Sequence, residues 1–371
     1  MSTVSCTHIL ANTYHYLTHY IPVRGYKMID LSDQIIEVEH KPFGASRRIR
    51  RDGKLGKTKW YSKKIFINKV PVLVTSLNNG TQINIRCCPL KVLQGHNVFG
   101  TNNVVMLGNK IIVDVLKELG IKASEGQLRA WRKGEFRIDE IHLTHRFQLE
   151  SNSMVRRVVS HIHRYARRSL RAAYIDSGVG VTLKGPHLEW LFYDKCLEFG
   201  DKRTKEQKYI QAVVGDRAES AGHCLHQLAS KSIRAELKLD KDYLQDDGLD
   251  RGKNWTTEKV IEIFTKELGV LRLGEMPSLP QLPEIYASVA DVKLRDVLML
   301  WGSGKDMSTH VGKTTRERHR REIKKLLGID ILKDQPALEP ASINLSDIFD
   351  PSNMLTGFPK WARKYPELAL R

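Results

Sequence analysis

The sequence predicts an α+β fold, an antiparallel sheet with flanking helices, followed by a small C-terminal helical domain of helix-turn-helix type. Three observations carry that expectation. Between residues 28 and 240 apolar and polar residues alternate in short runs, the period of half-buried strands, and stretches of helical spacing separate them. The run Met276-Pro277-Ser278-Leu279-Pro280-Gln281-Leu282-Pro283 reads as a linker, because its prolines remove amide donors and resist helix. Beyond it the pattern becomes helical and strongly basic. The expected division is an extension over 1–27, a sheet-bearing domain over 28–275, a linker over 276–284, a helical module over 285–335 and an irregular tail over 336–371.

With 371 residues, 41% of them apolar, the chain has room for two or three domains with real cores. Its formal net charge is +18, and the cations are clustered: Arg47-Arg48-Ile49-Arg50-Arg51, Arg156-Arg157, Arg167-Arg168 and Arg316 to Lys325. Such clustering favours a polyanion as partner, nucleic acid before all others. No apolar run is long enough to span a bilayer, and neither a lipidation signal nor the charged-then-apolar order of a signal peptide is present, so no membrane role is expected. Five cysteines without a CxxC pair suit reduced thiols in a cytosol.

Taken in order, Met28 to Leu31 and Ile35 to Glu39 read as strands after a segment rich in tyrosine and histidine between Tyr14 and Tyr20. Arg47 to Lys64 is a basic, glycine-dotted ribbon with Trp60 and Tyr61 embedded, suited to tracking phosphates and stacking bases, or to a plain solvated hairpin. Ile65 to Val74 and Gln82 to Cys88 read as strands joined through Asn78-Asn79-Gly80. From Cys88 to Gly100 the chain leaves through Pro89 into a polar, glycine-bounded turn that carries Lys91, His96 and Asn97. Helical spacing over 104–120 stops at Gly120. Ile138 to Phe147 alternates as a strand, Met154 to Leu170 as a basic amphipathic helix, and Val179 to Lys184 as a strand. Lys202 to Ala229 reads as a polar helical insertion, Ile233 to Leu239 as a charged strand, Asp240 to Lys253 as loop and Thr256 to Leu268 as helix. After the linker, Ile285 to Trp301 and the segment from Lys313 to Leu327 resemble a helix-turn-helix with an arginine-loaded second helix, or a basic helix on a small bundle.

Two stretches carry candidate chemistry. In Trp190 to Glu198, Tyr193 is followed two residues later by Lys195. On a strand they share a face; on a helix they point about 200° apart. A phenol with a pKa near 10 attacks only when a cation stabilises its anion or a metal polarises its target. The alternative is a half-buried strand with Tyr193 packed and Lys195 reaching water. In the strand around His142, Glu140, His142 and Thr144 share one face, and a carboxylate and an imidazole so spaced can chelate a divalent ion; the alternative is an edge strand with a polar outer face. His161-Ile162-His163 has the histidine pattern of a nuclease metal site, but on a helix those imidazoles diverge and are set aside.

Together these stretches resemble the gene II-type replication initiation proteins of filamentous bacteriophages, a tyrosine-nuclease branch of the rolling-circle initiators. Lys91 to Thr101 is the longest and least ordinary match; Ile141 to Phe147, Phe192-Tyr193-Asp194-Lys195 and Ile233 to Lys238 add to it, and Trp301 to Ile331 resembles a C-terminal module of related phage proteins. The resemblance covers roughly 28–240 and that module. It implies an endonuclease and ligase that nicks one strand of supercoiled replicative-form DNA through Tyr193, with Lys195 assisting and Mg²⁺ or Mn²⁺ held by His142 and Glu140. The wider superfamily has two histidines flanking an apolar residue on its metal strand, and here His96 or Glu198 would have to supply a third ligand. The DNA contacts implied are Lys91, His96, Asn97, Arg47, Arg48, Arg50, Arg51, Arg234, Arg316, Arg318, Arg320 and Arg321. Partners would be double- and single-stranded phage DNA at the origin and a host helicase and polymerase, in the host bacterial cytoplasm. The rival readings are a non-catalytic DNA-binding regulator and an RNA-binding protein.

Overall fold

The computed structural model describes residues 28–370, apart from 53, 166–170, 175–179, 202, 276–285, 287–288, 303–306, 308–309, 333–343 and 356–357. The expected extension 1–27 with its aromatic cluster, the linker 276–284, Arg167-Arg168 and the start of the tail lie outside the described residues.

The strands are β1 (Met28–Glu37), β2 (Ala45–Ile49), β3 (Leu55–Trp60), β4 (Ser62–Ile67), β5 (Val70–Leu77), β6 (Gln82–Cys87), β7 (Arg137–Gln148), β8 (Arg171–Tyr174), β9 (Gly180–Lys184), β10 (Leu188–Asp194) and β11 (Ser232–Leu239). Among the described residues, nine of them form one sheet in the order β4-β5-β6-β1-β7-β11-β10-β9-β8, and β2 and β3 make a separate ribbon. Every neighbouring pair is antiparallel. The α+β expectation thus holds.

Alternation along the strands gives the sheet two unlike faces. One carries Val72, Val74, Ile83, Ile85, Ile141, Leu143, Trp190, Phe192, Ala235 and Leu237, all buried, and packs against α2 (Val104–Leu119), α4 (Asn152–Tyr165) and α9 (Thr257–Val270). Phe264 of α9 lies edge-on to Trp190, their ring centroids 5.0 Å apart. The second face is polar. A smaller cap covers part of it: α1 (Pro89–Gln94), α5 (Lys195–Asp201), α6 (Arg203–Val214) and α7 (Ala218–Ala229). The cap closes around Phe99, Phe199, Ile210, Leu225 and Leu368.

Three local features differ from the sequence expectation. Ile65 to Val74 is two strands, because Asn68 and Lys69 take left-handed backbone (φ 48° and 63°) and make a two-residue hairpin turn without its usual glycine. The turn expected after Cys88 is helix α1. Pro89 occupies its first turn and Gly95 closes it at φ 77°, the proline-first, glycine-last asymmetry of helices. The described residues of 344–370, within the expected irregular tail, fold back: the Leu355 amide donates to the Arg146 carbonyl (2.8 Å) and Met354 bridges Phe147 at the end of β7.

The helical module holds two described helices, Val292–Gly302 and Lys313–Leu327, around a core of its own that includes Leu298, Trp301, Ile323 and Ile329.

Candidate active site

The polar face of β7, β1, β11 and β10 assembles the site. Register places Lys238 opposite His142, Glu236 opposite Thr144, and Arg234 opposite Tyr193. On the other side of β7, Asp33 lies opposite Glu140 and Arg86. Between Ile29 and Leu31 the β1–β7 register shifts, so Asp30 is the extra residue of a β-bulge. A bulge re-aims a side chain that regular pleating would send elsewhere, and Asp30 reaches Arg234 (2.9 Å).

The side chains link into one chain of hydrogen bonds. The Tyr193 hydroxyl donates to Oε2 of Glu236 at 3.2 Å, and Oε1 of the same carboxylate accepts from Nδ1 of His142 at 2.7 Å. Nε2 of His142 reaches Oε1 of Glu140 at 2.9 Å, and Arg86 joins Glu140 (2.7 Å) to Asp33 (3.0 Å). Exposure of these side chains climbs from 0% at Arg234 through 12% at His142 to 36% at Arg86. The row is therefore closed at Tyr193 and open toward β6.

The electrostatics follow from that burial. Burial alone would strip His142 of its proton, but its hydrogen bonds to Glu140 and Glu236 outweigh it and lift the pKa to about 9. At neutral pH both ring nitrogens donate. Burial works against ionised Glu140 too, yet His142 and Arg86 bring it down to about 2. Burial pushes the Tyr193 phenol well above its ordinary value, with Glu236 adding to the rise and Arg234 opposing it. The resting phenol is protonated.

The sequence candidates divide by position. Tyr193 is the penultimate residue of β10, whereas Lys195 opens α5. The Lys195 ammonium is fully buried and donates to Asn97 (2.9 Å) and Glu198. The cation beside the phenol is instead Arg234, its guanidinium carbon 5.7 Å from the ring centroid. Asn97 is also buried; it bridges Lys195 to Asp30 and accepts from Arg234 through its carbonyl. His96 is fully buried, with Nε2 on the Leu368 carbonyl (3.0 Å), and burial takes its pKa down to about 3. Lys91 pairs with Glu206. Lys91, His96, Asn97 and Arg234 thus act inside the fold rather than on an open DNA surface. Arg47, Arg48, Arg50 and Arg51 are exposed on and beside β2. Arg318 and Arg321 are exposed as well, whereas Arg320 clamps Asp330 (2.6 Å) and Arg316 is partly buried.

Asp30, Asp33 and Arg86 are site members that the sequence reading did not name as such, whereas it put Glu236 with Arg234 and Lys238 on one charged face suited to lining an active cleft, or equally to a solvated edge. Glu236 had a signal, its place on the alternating charged face of Ile233 to Leu239. Asp30 had none, because a bulge leaves no trace in the alternation. Among the described residues one group of three donors is close enough to share an ion: His187, Asp240 and Asp242, with ligand atoms within 4.8 Å of one another. It sits where β10 begins and β11 ends, and it is largely exposed.

Residues 28–258 match the family that describes the N-terminal part of the phage replication-associated protein of gene II type. The chain belongs to that family. Over 320 residues it is 25% identical to the gene II-type replication-associated protein of Enterobacteria phage I2-2, covering 82% of this chain and 88% of the relative. The family match contains the whole hydrogen-bonded row, from Asp30 on β1 to Lys238 on β11. It identifies a phage replication-associated protein, and the polar face of the sheet described above is the candidate site within the matched residues. No helix among the described residues is long and apolar enough to cross a membrane.

Proposed function

We propose that this chain nicks one strand of supercoiled replicative-form phage DNA at the origin and so starts rolling-circle replication in the host cytoplasm. Tyr193 is the nucleophile. As its oxygen bonds to the scissile phosphorus, the bond from phosphorus to the 3′-oxygen breaks; the 5′ end stays on the enzyme as a phosphotyrosine, and the departing 3′-oxygen becomes the hydroxyl that a host polymerase extends. The bond energy is conserved, so reversal rejoins the displaced strand.

One observation carries this reading: the Tyr193 hydroxyl and the His142 imidazole share the Glu236 carboxylate. Glu236 is within reach to take the phenol proton as attack proceeds. Arg234, buried beside the ring, opposes the charge that then builds on oxygen. Lys195 works at one remove, ordering Asn97 and through it Asp30. Glu140 and His142, whose Oε1 and Nε2 lie 2.9 Å apart, offer the oxygen and nitrogen donors that suit a hard divalent ion such as Mg²⁺ or Mn²⁺, while Glu236 is on the imidazole's opposite nitrogen; the protonated imidazole between two carboxylates marks a point where positive charge is favoured. A cation bound there would polarise the non-bridging phosphate oxygens. Protonated His142 and a bound metal exclude each other on the same nitrogen, so metal uptake displaces its proton.

The test is direct. Protein, Mg²⁺ and supercoiled plasmid bearing the phage origin are incubated, and nicked product is run on a denaturing gel to find protein linked to DNA. Tyr193→Phe is expected to lose the adduct while retaining the gel shift. An adduct that persists in that variant overturns the reading, and a wild-type protein that binds but never nicks returns the chain to the regulator reading.

A further inference from the structure

The ribbon of β2 and β3 stands off the main sheet, and every residue of β2 is exposed. Between Ala45 and Lys64 there are nine lysines and arginines against the single acid Asp52. Yet two large aliphatic side chains occupy its outer end. Ile49 is 72% and Leu55 61% exposed, and they are direct cross-strand partners beside the turn where the Arg50 amide donates to the Lys54 carbonyl (2.8 Å). Their mutual contact adds only roughly 0.2–1 kcal/mol to the ribbon, and more than half of each side chain stays in water, open to a partner. Self-association through the tip would set one cationic arm against another.

The arm also has a route to the site. It runs directly into β4, and a transverse row on the polar face, Lys64, Leu73, Arg86, Asp33 and Glu140, leads across the sheet to His142. Lys64 and Leu73 are exposed, so this part of the face is uncovered. The root of the arm is about 10 Å, two strand spacings, from Arg86.

We propose that the arm is a wedge for duplex DNA. Arg47, Arg48, Arg50 and Arg51 hold the two backbones, while Ile49 and Leu55 enter the minor groove and part a base step, as apolar side chains do in DNA-kinking proteins. One strand, freed from stacking, then crosses the open face toward Tyr193. The wedge rests on the proposed nicking function only in taking DNA as the partner.

Its test reads binding alone. The full chain carrying Tyr193→Phe, which leaves no covalent link, is titrated with a short mixed-sequence duplex and with the same duplex containing a central mismatched bubble, which needs no unstacking. 2-Aminopurine beside the bubble position reports base opening. The parent is expected to prefer the bubble by about tenfold and to raise 2-aminopurine fluorescence in the perfect duplex. Ile49→Ser with Leu55→Ser is expected to bring both signals to background, while Ile49→Leu with Leu55→Ile keeps them; the sites are exposed, so neither pair disturbs a core. Absence of preference in the parent, or a serine variant that behaves as the parent, overturns the wedge. So does a serine variant that loses only sedimentation with anionic phospholipid vesicles. The result is independent of whether Tyr193 cuts.

Discussion

Glu236 accepts from a phenol with one oxygen and from an imidazolium with the other, and His142 carries the consequence for pH. Its folded pKa of about 9 is above the ordinary value of 6.5. A raised pKa contributes stability that is fully present below the unfolded value and is lost as pH rises through the folded one. The window is therefore from about 6.5 to about 9. Thermal unfolding followed across that window should show a loss on the order of 1–3 kcal/mol in the wild type, and His142→Gln should remove that slope. A wild-type slope equal to that of the variant would mean that the imidazole is not held between the two carboxylates. His142 was legible in the sequence as a residue of an alternating strand, and Tyr193 as a candidate phenol whose element, strand or helix, the sequence left open. Their coupling was not, because it passes through Glu236 on a strand some forty residues beyond Tyr193.

At the scale of elements, α1 joins the sheet to the cap. Gly95 ends it at φ 77°, and a Cβ there would meet the Tyr209 carbonyl oxygen of α6 at 2.9 Å. Gly95→Ala combines left-handed strain with a backbone clash, a cost of roughly 1–3 kcal/mol. Chemical denaturation should register that loss. A neutral result would mean that α1 and α6 do not pack as described. The strands of the sheet's core were readable because Val, Ile and Leu at alternate positions leave little choice of face. The hairpin at Asn68-Lys69 was not, since no glycine announced its left-handed turn. Helix α1 could have been read from Pro89 and Gly95, but its six residues are too few for periodicity to speak. The bulge at Asp30 follows from cross-strand register, which no single strand records.

Over the whole molecule, the chain leaves the sheet-bearing domain for the helical module and then returns. Leu368 sits under His96, the Leu370 amide donates to Gln94 (3.2 Å), and Trp361 meets the Phe99 ring with centroids 5.7 Å apart. Ending the chain at residue 343 would uncover Phe99 and leave buried His96 without its carbonyl. Such a truncation should lower the melting temperature by several degrees or more and raise binding of a hydrophobic dye. A truncated protein that melts like the intact one would show that the returning segment is an ornament. The helices beyond the sheet were legible, Lys313–Leu327 from its basic amphipathic run and Val292–Gly302 from its apolar spacing. The return was not, because its short turns carry no period and its partners lie some 270 positions earlier.

That return sets an order on synthesis. The ribosome delivers the wall behind His96 after the sheet and after the basic helix Lys313–Leu327. The cover over His96 and Phe99 therefore closes only after every strand of the sheet has been made, and a chain that stalls before Trp361 leaves that side of the cap open.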